Sequence, residues 1–131
     1  MADTPNETIV RRGYEAFNAA DAEALIELLA DDVVHVNQGS NWSSGEFKGR
    51  DAVLGMYATY GEKTNGSYSA NLESVKDLGG DQVLTRHRIK ATRADKSLDL
   101  GEEIVFTVKN GQITRLDVTA DDPAAEDAFW A

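Results

Sequence analysis

No cysteine occurs among the 131 residues. That excludes disulfides, thiolate nucleophiles and cysteine metal sites, and it suits a reducing, cytoplasmic setting. Positive charge is short as well. Lys and Arg number 13 against 23 Asp and Glu, giving a formal charge of −10 and a pI near 4.5. Such a field repels phosphate backbones and anionic lipid, so neither nucleic acid nor a membrane surface is expected as a partner. No apolar run approaches the length needed to span a bilayer. The opening MADTPNET has neither a basic region nor an apolar run, so no signal peptide is expected. Histidine is limited to His35 and His87, and proline to Pro5 and Pro123.

What is present is ordinary for a folded soluble chain, with 41% hydrophobic and 27% charged residues. The length predicts one domain over residues 1–131, with a frayed start at 1–5 and an acidic tail at 121–131. The chain is organised around residues 14–37. Thr4-Pro5 can start a helix, since proline at the first helical position loses no bond. Ile9, Val10, Gly13, Tyr14, Phe17 and Ala20 then recur at helical spacing. Asp21 caps a shorter helix whose apolar face is Ala24, Leu25, Leu28 and Leu29. Asp31-Asp32 interrupts that pattern, and Val33–Asn37 reads as a strand with Val33, His35 and Asn37 on one face.

Residues 38–49 read as a polar loop carrying Trp42 and Phe47, followed by a third helix that starts around Gly49-Arg50-Asp51, with Gly61 and Gly66 marking its exit. The remainder alternates as strands. Ser67–Leu78 and Gln82–Arg93 join through Gly79-Gly80-Asp81, and Leu98–Lys109 and Gln112–Ala120 through Asn110-Gly111. His87 and Glu102 each interrupt an otherwise apolar strand face. Arg86, Arg88 and Lys90 lie opposite His87 and are expected to pair with Glu73, Asp99 or Glu103. The tail is read as helical after Pro123. This order of elements predicts an α+β fold in which a curved, mostly antiparallel sheet wraps around the N-terminal helices to form a cone with an internal pocket.

The stretches Tyr14–Asp21, Leu28–Val34, Phe47–Val53 and Asn110–Ile113 make the chain resemble the SnoaL-like family of the nuclear transport factor 2-like superfamily. The resemblance implies the cone fold and, through the outer sheet face, a homodimer. It does not imply one reaction, because the fold hosts cyclases, isomerases, hydrolases and non-catalytic modules. Ketosteroid isomerases of this fold keep a basic aspartate at the end of the first strand and a tyrosine on the first helix. Asn37 and Gly13 stand there instead, with Tyr14 about 100° around the helix. Epoxide-hydrolase-like members pair Tyr-x-Asn with Arg-x-Asp; this chain has His35-Val36-Asn37 and His87-Arg88-Ile89. Polyketide cyclases of the SnoaL type use an acid near the end of the last strand, where Asp121 or Asp122 stands.

The catalytic candidates are therefore His35, Asn37, His87 and Glu102. Imidazole titrates near neutrality. A carboxyl flanked by Leu100 and Ile104 is pushed toward its protonated form by desolvation. Tyr14, Phe17, Trp42, Tyr57, Phe106 and Trp130 are candidate ligand-binding residues, with Trp42 and Phe129-Trp130 assigned to the pocket mouth. No metal site and no cofactor are expected, because the two histidines and Glu102 show no local ligand spacing. Two readings stay open. One is an enzyme moving protons on a small apolar organic molecule, in an isomerisation, cyclisation or hydration. The other is a non-catalytic binding or dimerisation module in which these polar groups only satisfy one another.

Overall fold

A computed structural model describes residues 3–131, of which the first two residues of the expected frayed start are not part. The rest of that start is ordered. Thr4 caps α1 (Pro5–Asn18) through a reciprocal capping box with Glu7, and Pro5 occupies the first turn. The buried stripe of α1 runs through Val10, Tyr14 and Ala16, while Ala20, expected to be buried, is exposed in the turn at φ 53°. Asp21 caps α2 (Ala22–Leu28) by accepting from the Ala24 backbone N–H at 3.1 Å.

The first strand, β1 (Leu29–Asn37), begins earlier than the acidic pair suggests. Leu29 pairs with Ile113 of the last strand and Val34 already pairs with Arg115, so residues 30–33 form an irregularity in the ladder. Asp31 and Asp32 sit exposed on this bulge, where Asp31 meets Arg50 at 2.8 Å. Two carboxylates can thus lie inside a strand without entering the core. The polar segment expected to be a loop contains a short edge strand, β2 (Gly45–Lys48), antiparallel to β1.

Gly49 links β2 to α3 (Arg50–Lys63) at φ 94°, a backbone conformation that disfavours a side chain, and its N–H bonds the Val33 carbonyl at 2.8 Å. α3 ends at Lys63, between Gly61 and Gly66, the two glycines expected to mark its exit. Then follow β3 (Ser69–Gly79), β4 (Gln82–Arg93), β5 (Lys96–Lys109) and β6 (Gln112–Ala120). Positive φ at Gly80 and Asp81, and at Asn110 and Gly111, gives both glycine-marked hairpins the turn twist that suits paired strands. A third hairpin turns at Ala94-Asp95.

The sheet order is β2-β1-β6-β5-β4-β3, antiparallel throughout except for the parallel β1–β6 pair. This is the expected α+β cone. Its concave face buries alternate residues of β4 and β5, from Val83 to Ala91 and from Leu98 to Val108, against α1 and the helices beside it. Asn18 at the end of α1 closes the β3 backbone, donating to the Ala70 carbonyl at 2.8 Å and accepting from its N–H at 2.9 Å.

The acidic tail is not free. Asp122 caps α4 (Pro123–Trp130), which packs on β5 and buries Glu126, Phe129 and Trp130. On the convex face Arg86 pairs with Glu73, Glu103 and Asp121, and Arg88 with Asp99, as the alternation predicted.

Candidate active site

An internal cavity lies between the sheet and the helices, with about 610 Å³ of empty space counting its opening. Its walls are mostly apolar, contributed by Phe17 of α1, Ile89 of β4, Ile104 and Phe106 of β5, and Leu116 and Val118 of β6. His35, Asn37, His87, Glu102, Tyr14 and Tyr57 also line it. Strand alternation delivers each of the four polar candidates. Val33, His35 and Asn37 share the inner face of β1, and His87 and Glu102 stand directly opposite one another across the β4–β5 ladder.

The polar groups form two chains. In the first, His87 Nε2 is 2.9 Å from Glu102 Oε1 and His87 Nδ1 is 2.5 Å from the Tyr14 hydroxyl, which is 2.7 Å from Thr85 Oγ1. A consistent assignment has Thr85 donating to Tyr14, Tyr14 to Nδ1, and Nε2–H to Glu102. His87 is then neutral. Burial pushes it down to about 4 against the upward pull of Glu126 and Glu73. Burial also drives Tyr14 far above its ordinary range, so it keeps its proton.

In the second chain, His35 Nε2 lies 3.0 Å from Asn37 Oδ1 and Nδ1 lies 3.0 Å from the Tyr57 hydroxyl. Asn37 donates through Nδ2 to the Ser43 carbonyl at 2.8 Å and to the Tyr60 hydroxyl at 3.3 Å, so its oxygen faces His35. His35 therefore carries its hydrogen on Nε2, and Tyr57 donates to Nδ1. Burial holds this imidazole neutral too, at about 4.

Sequence reasoning overlooked one residue that alters this chemistry. Glu126 of α4 is as buried as Glu102. Burial raises both, Glu102 to about 7 and Glu126 to about 8, and the charge of Glu102 adds to the rise at Glu126. Both carboxyls therefore hold their protons to a higher pH than exposed ones do. The signal was present in the tail: Glu126, Phe129 and Trp130 stand at helical spacing on one face.

Two expected ligand residues need correction. Trp42 and Trp130 do not line the cavity, and Phe129 and Trp130 are buried in the core instead of standing at a mouth. The two indoles pack edge to face at 5.3 Å behind Tyr60, which stacks on Tyr68 at 4.2 Å. Tyr60 and Tyr68, not the tryptophans, line the cavity. The physical reason is α4: as a helix it turns its aromatic end inward, which a free tail would not do. Asp121 lies outside the cavity on Arg86, and Asp122 is a helix cap, so neither stands where a SnoaL-type acid would be needed.

A sequence profile of the SnoaL-like domain matches residues 10–116. The uncharacterized protein Rv0034 of Mycobacterium tuberculosis is 36% identical over 131 residues, covering all of both chains. Bal32a, from a soil-derived mobile gene cassette, is 36% identical and superposes with a TM-score of 0.95 over 97% of each chain. The protein SMa1630 of Sinorhizobium meliloti, provisionally named a polyketide cyclase, is 25% identical with a TM-score of 0.68, over 86% of this chain and 94% of its own. Fold and sequence agree, and the chain belongs to the SnoaL-like family.

Proposed function

We propose that the chain is a cofactor-independent acid–base enzyme acting on a small, largely apolar and uncharged organic molecule. The observation that carries this reading is Glu102, which stands buried at the wall of an apolar cavity 2.9 Å from His87, with its carboxyl raised to about 7 by desolvation. A carboxyl poised near neutral pH is suited both to giving and to taking a proton. In this reading Glu102 is the acid/base that touches substrate. His87 Nε2–H stabilises its ionised form, so a proton released to substrate leaves a carboxylate with a donor on it. Tyr14 and Thr85 fix the His87 ring. Tyr57, which donates its hydrogen to His35, presents its oxygen as an acceptor for a substrate hydroxyl.

No lysine or arginine lines the cavity among the described residues, which disfavours an anionic substrate. Proton shifts within a ketone, ring closure of a polyketone, and epoxide or lactone opening all match this equipment. The provisional name of SMa1630 points the same way. The competing reading, a non-catalytic ligand carrier, is favoured by one observation: each ring nitrogen of both histidines already has a side-chain partner.

Nuclear magnetic resonance of cyclic ketones, lactones, epoxides and aromatic polyketones incubated with the protein in heavy water separates the two. The enzyme reading expects conversion, or deuterium uptake, of at least one compound. Ligands that bind without either change would establish the carrier.

A further inference from the structure

The cavity-lining residues of β4, β5 and β6 are all buried, so the sheet side of the cavity is closed. Partial exposure is kept by Gly13, Phe17, Asn37, Tyr57 and Tyr68. Asn37 is turned inward, donating to the carbonyl of the buried Ser43 at 2.8 Å. The other four meet in one place. Gly13 and Phe17 lie about one turn apart on α1. The Phe17 ring stands edge to face against Tyr57 of α3, with centroids 5.1 Å apart, and against Tyr68, just before β3, at 6.0 Å. α1 packs on α2 and β3 but not extensively on α3, so these rings, and not backbone, close the space between the two helices.

The three rings are not held alike. The Tyr57 hydroxyl is fixed on His35 Nδ1 at 3.0 Å. Tyr68 is stacked on the buried Tyr60 at 4.2 Å, with the planes 13° apart. The backbone at the end of α1 is tied down as well, because Asn18 exchanges two bonds with Ala70 of β3 at 2.8 and 2.9 Å. Phe17 has no polar atom on its side chain and is held only by edge contacts. It can therefore swing without breaking a hydrogen bond or moving a helix, whereas neither tyrosine can.

We propose that Phe17 is the gate of the cavity and its size-selecting residue: its ring swings between Tyr57 and Tyr68 to admit flat, uncharged molecules. The space that one phenyl ring vacates suits a planar molecule better than a globular one. Three aromatic rings offer nothing to replace the water around a charged group, so an ion is stopped at the same place. Entry is needed by a carried molecule and a converted one alike, and the gate does not depend on Glu102 acting as an acid.

Nuclear magnetic resonance of the full chain with two uncharged probes, flat indole and globular 1-adamantanol, tests this. Overhauser contacts from indole to Ile104 and Val118 place the probe in the cavity, and line shapes give its rates of entry and exit. Two edge contacts of this kind are worth about tenfold or more in rate, so Phe17→Ala should raise indole entry and exit together by that factor. Phe17→Trp should slow both. In the unmodified protein 1-adamantanol should enter about tenfold more slowly than indole, and F17A should remove that difference. Unchanged rates in both folded variants would overturn the proposal. A change confined to the exit rate would do so too, since it would make Phe17 a wall contact and no gate. Three results on the unmodified protein also overturn it, whether or not the variants fold: no indole binding, indole bound without contacts to Ile104 or Val118, or equal entry of the two probes.

Discussion

The two buried histidines and the two buried glutamates pull the pH dependence of stability in opposite directions. Both imidazoles fall to about 4 on folding, from an ordinary value of 6.5. A depressed group contributes stability that is present above its unfolded value and lost as pH falls through the folded one. Each shift corresponds to about 3 kcal/mol. Glu102 and Glu126 rise from 4.5 to about 7 and about 8. Their contribution is present below pH 4.5 and lost as pH rises through those values. Between pH 5 and 6.5 the unfolded chain holds roughly two, falling to one, imidazole protons that the native state lacks, and the native state holds roughly one and a half carboxyl protons that the unfolded chain lacks. These differences offset, and stability should be almost flat across that window. Above pH 6.5 the histidine effect fades while the pair ionises, and about 2 kcal/mol should be lost by pH 8. In E126Q one of the two raised carboxyls is removed while burial keeps Glu102 raised, so stability should instead climb by about 1–2 kcal/mol from pH 5 to 6.5. Urea denaturation at pH 5, 6.5 and 8 reads both curves. An unmodified protein that gains several kcal/mol between pH 5 and 6.5, or that loses nothing by pH 8, would refute the reasoning.

Other substitutions test separate parts of the structure. Tyr57→Phe leaves His35 Nδ1 without its donor in a buried site and should cost about 1–3 kcal/mol in urea melts, with the His35 ring titrating at a different pH. Val33→Ala empties a fully buried position beneath β1 and should cost about 2 kcal/mol; a loss under 0.5 kcal/mol would mean that the bulge collapses onto the gap. Asp127→Ala removes both bonds from α4 to the loop at residues 40–41. Amide hydrogen exchange in α4 should then accelerate while β4 and β5 keep their protection.

Much of this architecture was legible because its elements carry local signals. Thr4-Pro5, Asp21 and Asn110-Gly111 mark ends and turns by backbone chemistry, and strand alternation turned His35, Asn37, His87 and Glu102 inward. What was missed depended on contacts distant in sequence. The strand containing Asp31 and Asp32 exists because β6 pairs around a bulge, which no local pattern at two aspartates announces. The His87–Glu102 bond follows from the turn at Ala94-Asp95, which sets the register and has no glycine to advertise it. Glu126 was hidden by composition. In a run as acidic as DDPAAEDAFW, one buried carboxyl resembles its solvated neighbours until Phe129 and Trp130 are seen to share its helix face. Misplacing that helix also misassigned Trp42 and Trp130 to a cavity that Tyr60 and Tyr68 line.

The central claim is that Glu102 exchanges protons with a molecule in the cavity. Its most direct measurement compares Glu102→Gln with the unmodified protein on a compound that the heavy-water experiment finds converted. The isosteric amide keeps the shape of the wall, so KM should change little while kcat falls by about 10²–10⁴-fold. Equal turnover by the two proteins, or a loss confined to KM, would contradict the account.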